Sequence, residues 1–67
     1  MLKISEDSIH AFYFIDIISL DDTHICLKYK QYTVLIEANQ LNILSYMEDE
    51  LVMKGKCMKI QWTYHEI

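Results

Sequence analysis

His24 and Cys26 stand two residues apart, a spacing that puts both side chains on one face of an extended strand. With Cys57, His65 or His10 they could complete a tetrahedral zinc site. Structural zinc, however, usually takes its ligands from tight pairs such as C-x2-C, and this chain has none. The same residues offer a thiol beside an imidazole. No glycine-rich oxyanion turn or acidic orienter accompanies them at a recognisable spacing. A phosphate-cradling loop needs several glycines, and Gly55 is the only one. Asp21-Asp22 and Glu48-Asp49-Glu50 are too short to supply the roughly six to eight oxygens of a calcium site. They read as charged turns that keep contact with water. No catalytic residue, metal or cofactor is expected, and the chain is not read as an enzyme.

Rings are the feature left over. Five tyrosines, two phenylalanines and one tryptophan are many for 67 residues. A chain this short buries only about 60% of its unfolded surface, so it can hide few large side chains. Rings left on a sheet surface suit a protein–protein contact. Tyr29, Tyr32, Trp62 and Tyr64 are the expected interface residues.

Composition bounds the remaining possibilities. The net charge is −4, from ten acids and six bases, so a backbone-binding nucleic-acid surface is not expected. The longest apolar run, Ala11–Ile18, is interrupted by Asp16 and is far short of the ~20 residues of a membrane helix. Acids interrupt the N-terminus before any signal-type apolar core forms. The expectation is a single domain over residues 1–67 in the cytoplasm, with Cys26 and Cys57 as free thiols. Small domains of this size often gain stability by self-association.

The elements that must position these residues read as strands. Ile25, Leu27 and Tyr29 alternate with Cys26, Lys28 and Lys30. Tyr32, Val34 and Ile36 alternate in the same way, and so do Met58, Ile60 and Trp62. Residues 10–20 are rich in aromatic and β-branched types, and their weak alternation predicts burial on both faces or a kink near Asp16. Turns are expected at Glu6–Ser8, Asp21–Thr23, Lys30-Gln31, Asn39-Gln40, Glu48–Glu50 and Gly55. The segment Val34–Leu44 is echoed by Leu51–Gln61, seventeen residues later, with Ile36, Leu41 and Ile43 falling on Met53, Met58 and Ile60. The pattern predicts an all-β fold: six to seven short antiparallel strands in a meander, with a repeated strand–turn–strand unit. The alternative is α+β, with a helix over about 40–54 capped by Asn39 and ended by Gly55.

With the strands laid out, residues 18–62 resemble the YabP/YqfC family of endospore-former proteins. Ile36-Glu37-Ala38-Asn39-Gln40-Leu41-Asn42-Ile43 matches the family's I-x-G-x-x-L-x-I, with Ala38 in place of the glycine. Glu50-Leu51-Val52-Met53-Lys54-Gly55-Lys56-Cys57-Met58-Lys59-Ile60-Gln61-Trp62 matches its second motif, E-[IL]-x-[IV]-x-G-x-I-x-x-[IL]-x-[YFW]. Upstream, Leu20-Asp21-Asp22 with Ile25 and Leu27 falls where the family carries acids and an aliphatic strand, and Tyr32 stands where it carries a turn glycine. The resemblance implies a non-enzymatic structural role in sporulation, in mother cell or forespore, as a homo-oligomer or beside other sporulation proteins. The alternative is a small acidic regulatory module, inhibitor or antitoxin-like, that masks a basic partner.

Overall fold

A computed structural model describes residues 1–65 as six strands and no helix. These are β1 (Leu2–Ile4), β2 (Ser8–Phe12), β3 (Asp16–Leu20), β4 (His24–Lys28), β5 (Tyr32–Met47) and β6 (Glu50–Tyr64). All pairings are antiparallel, in one sheet of order β1-β2-β6-β5-β4-β3. The all-β expectation holds. Strands β3 to β6 form a meander, and β2 then adds to the outer side of β6.

The helix weighed over 40–54 is not formed, because β5 and β6 are extended throughout that stretch. The expected turns at Asn39-Gln40 and Gly55 are bulges instead. β5 and β6 run through them as strands of 16 and 15 residues joined at Glu48-Asp49. The ladder slips between Glu37 and Ala38, between Asn39 and Asn42, and between Ile43 and Ser45. Gln40 takes a positive φ of 52°, and Gly55 takes 156°. These backbone features resemble turn chemistry, but here they bend a long hairpin rather than end a strand.

The sheet cannot be flat. β2 and β3 lie four strand spacings apart in its order, roughly 19 Å at about 4.8 Å each. Phe12 and Asp16 are joined by only Tyr13-Phe14-Ile15, which reaches at most about 14 Å. The sheet must coil so that its two ends approach. Coiling also explains the core. Ile9, Ile25, Leu27, Val34, Ile36, Leu51 and Met53 are fully buried in one cluster, which a single open sheet face would leave in water. Each such side chain contributes ~1.5–3 kcal/mol by leaving water.

The two halves of the sheet repeat each other. Ile36 faces Ile60 across the long hairpin, and Met53 faces Ile43. Glu37 faces Lys59, and Lys54 faces Asn42. The seventeen-residue echo is therefore a pseudo-two-fold axis through the middle of one hairpin, not two successive hairpins. The flanking strands obey it too. Ile25 of β4 faces Ile36 as Ile9 of β2 faces Met53. The Asp21 N–H donates to the His24 carbonyl as the Ser5 N–H donates to the Ser8 carbonyl, both at 2.9 Å. The unit β3-β4-β5 is contiguous in sequence, whereas β1-β2 completes its copy with β6.

Candidate functional site

The four rings expected at an interface are brought together. The Tyr29 N–H donates to the Tyr32 carbonyl at 2.8 Å, closing the tight β4–β5 connection at Lys30-Gln31. Their rings stack 4.9 Å apart at 23°. Across the ladder Tyr32 faces Tyr64, and Val34 faces Trp62. Tyr32 is thus the hub, edge-to-face with Trp62 at 5.1 Å and tilted against Tyr64 at 5.7 Å. Such pairs add about 0.5–1.5 kcal/mol each beyond area burial.

The cluster grades from core to solvent. Tyr29 is 5% exposed and belongs to the core; Trp62 is 44% and Tyr64 72% exposed. Tyr29 therefore backs the cluster rather than presenting a surface. Its hydroxyl donates to the Met1 carbonyl at 3.2 Å, tying the N-terminus to this corner. Burial, with the neighbouring Tyr32, pushes its pKa up to about 12. Beside the rings, Thr33 Oγ1 and His65 Nε2 share a 2.7 Å hydrogen bond, and the His65 N–H donates to the Gln31 carbonyl.

The rings adjoin an open edge that strand patterns did not reveal. β2 pairs with β6 from Glu50 to Lys54, and the Gly55 N–H adds one bond to the Asp7 carbonyl. Beyond that, β6 pairs only with β5 among the described residues, so its outer main chain from Lys56 to Tyr64 is free. The pseudo-symmetric edge is free as well. β4 pairs with β5 from Thr33 to Glu37, and the Ala38 and Leu41 N–H groups reach the Thr23 and Asp22 carbonyls. Past these, Asn42–Met47 is open and presents Ile43, Leu44, Tyr46 and Met47 to solvent. No local signal could announce either edge, because an edge depends on how far the neighbouring strand extends.

The residues weighed for metal or nucleophilic chemistry do not assemble. Among the described residues no three His, Cys, Asp or Glu side chains are grouped as a metal site. His24 lies between two carboxylates, its Nδ1 3.7 Å from Asp21 and its Nε2 3.5 Å from Glu37. The shallow cavity it lines with Leu35, Glu37, Lys59 and Gln61 is about 70 Å³, well below the ~300 Å³ of a small-molecule site. Asp21 Oδ1 accepts the Thr23 and His24 N–H groups at 2.9 and 2.7 Å. These bonds hold its carboxyl below the usual range, chiefly through the Thr23 amide and then the His24 amide. Asp21 is thus a turn-forming residue. Cys26 on β4 and Cys57 on β6 are unbridged, and burial pushes the Cys57 thiol up.

Among the described residues, no helix is long and apolar enough to cross a membrane. Comparisons with protein-family models, curated proteins and solved structures find no match to the chain.

Proposed function

We propose that this chain is a non-enzymatic assembly protein that associates with copies of itself through its aromatic corner and the adjoining open edge of β6. One observation carries the reading: Trp62 and Tyr64 are exposed on the stretch Lys56–Tyr64 of β6, whose outer main chain has no partner among the described residues. Unpaired edge amides and carbonyls template the addition of another strand, and exposed rings beside them supply apolar contact area. A 67-residue chain also gains from further burial. The resemblance of residues 18–62 to the YabP/YqfC family supports placing that assembly in spore development, in mother cell or forespore.

Sedimentation velocity on the wild type and on Trp62→Ala with Tyr64→Ala tests the reading. The wild type is expected to associate with rising concentration, and the double variant to shift toward monomer while keeping its β spectrum. A wild type that stays monomeric at every concentration overturns the proposal.

A second reading, an acidic module that masks a basic partner, is favoured by the charge balance. Among the described residues the only carboxylates within 4 Å of a basic group are Asp21 and Glu37, and that group is His24 in both cases. A salt-sensitive heteromeric complex captured by a monomeric chain would support it.

A further inference from the structure

We propose that the strand added to the open β6 edge is β3 of a second copy of this chain, so that copies join head to tail. The proposal rests on the self-association reading above and names the two surfaces that meet.

The register places these edges on opposite sides of the same four strands. Leu20, Ile25, Ile36 and Ile60 form one row across β3, β4, β5 and β6, and Ile17, Leu27, Val34 and Trp62 form another. β3 pairs only with β4 among the described residues, so its outer main chain is open too. It runs antiparallel to β6, since three antiparallel steps separate them. A second copy displaced along these rows therefore sets its β3 antiparallel to β6, like every pairing inside the chain. Leu20 then comes level with Ile60, and Ile17 with Trp62. Asp21 and Asp22, which follow Leu20, come level with Lys59 and Met58.

Charge and apolar surface agree with that register. The stretch Lys56–Tyr64 carries Lys56 and Lys59 and no acid. The stretch Asp16–Asp22 carries Asp16, Asp21 and Asp22 and no base. Among the described residues no lysine lies within 4 Å of a carboxylate, so Lys56, Lys59, Asp16 and Asp22 have no ion-pair partner there, whereas Asp21 already has His24 at 3.7 Å and two backbone amides. Exposed Ile18 on β3, next to Ile17, comes beside half-exposed Trp62 on β6. Pairing β6 with β6, or β3 with β3, would set like charges side by side, which disfavours the isologous alternatives. A heterologous contact of this kind propagates into a ring or a filament.

Charge reversal tests the proposal on the full chain by sedimentation velocity, at a concentration where the wild type is at least half assembled. One variant carries Lys56→Glu and Lys59→Glu; the other carries Ser19→Lys and Asp22→Lys. All four side chains are exposed, and an unchanged circular dichroism spectrum and unfolding midpoint verify the fold. Each variant alone is expected to need at least tenfold more protein than the wild type to reach half assembly. An equimolar mixture is expected to reassemble further than either variant alone, because the acids introduced on β6 of one variant then lie beside the lysines introduced on β3 of the other, on both sides of the unchanged Asp21, while the converse contact is the wild-type one. If the wild type assembles and either variant assembles equally well, or if the mixture stays monomeric, the edge assignment is overturned while self-association stands. If the wild type never assembles, both fall.

Discussion

The Gly55 N–H donates to the Asp7 carbonyl at 2.8 Å, and its pseudo-symmetric counterpart, the Ala38 N–H, donates to the Thr23 carbonyl at the same distance. Each bond ties a bend in one long strand to the turn that precedes the strand beside it. The two positions are not equivalent in backbone. Gly55 takes φ 156°, and a Cβ there would lie 2.9 Å from Leu41 Cδ2 and 3.3 Å from the Asn39 carbonyl oxygen. Gly55→Ala is therefore expected to cost about 1–3 kcal/mol in urea unfolding. An unchanged midpoint would show that the bend tolerates a side chain.

The all-β class and several turns were legible because their chemistry is local. Asp21-Asp22-Thr23 turns because the Asp21 carboxylate accepts two amides within three residues. Lys30-Gln31 and Glu48-Asp49 connect strands as expected. The bends at Gln40 and Gly55 were misread because a bulge and a turn call on the same backbone freedom. Only the partner strand, which continues past both, distinguishes them. The surplus of rings was legible, but the hub role of Tyr32 required the β5–β6 register. The open edges were illegible, because they arise from five-residue β2 and β4 flanking strands of 16 and 15 residues.

Tyr29 predicts a fall in stability at alkaline pH. Burial raises its pKa in the folded chain to about 12, against an unfolded value of 10.0. The folded state holds this proton more tightly, so the contribution is complete below pH 10 and is lost as pH rises through 10 toward 12. Urea midpoints should decline across that window in the wild type. The decline should flatten in Tyr29→Phe, even though that variant loses the hydrogen bond to Met1. An equal slope in both would contradict the assignment.

Asp21 acts at the other end of the scale. Its carboxyl is held below the unfolded value of 3.8 by the Thr23 and His24 amides. Its contribution is therefore present above that value and lost as pH falls through the lowered folded value. Asp21→Ala should lower the urea midpoint at neutral pH and remove part of the acid dependence below about pH 4. A neutral-pH midpoint equal to wild type would show that the turn forms without the carboxylate.

Stability and association should separate by position. Ile36→Ala and Met53→Ala, symmetry-related truncations of fully buried side chains, should each cost about 2–5 kcal/mol of folding stability. Trp62→Ala removes a half-exposed ring from the open edge and should weaken association far more than folding. Denaturation beside sedimentation checks both. Comparable losses of folding stability at all three sites would assign Trp62 to the core.

The central claim is that the chain assembles with itself. Static light scattering across concentration, repeated at low and high salt, tests it most directly. The account predicts a mass that rises above 8.0 kDa with concentration and persists at high salt, because main-chain edge bonds and ring contacts are screened little. A mass fixed at that of one chain under every condition would contradict it.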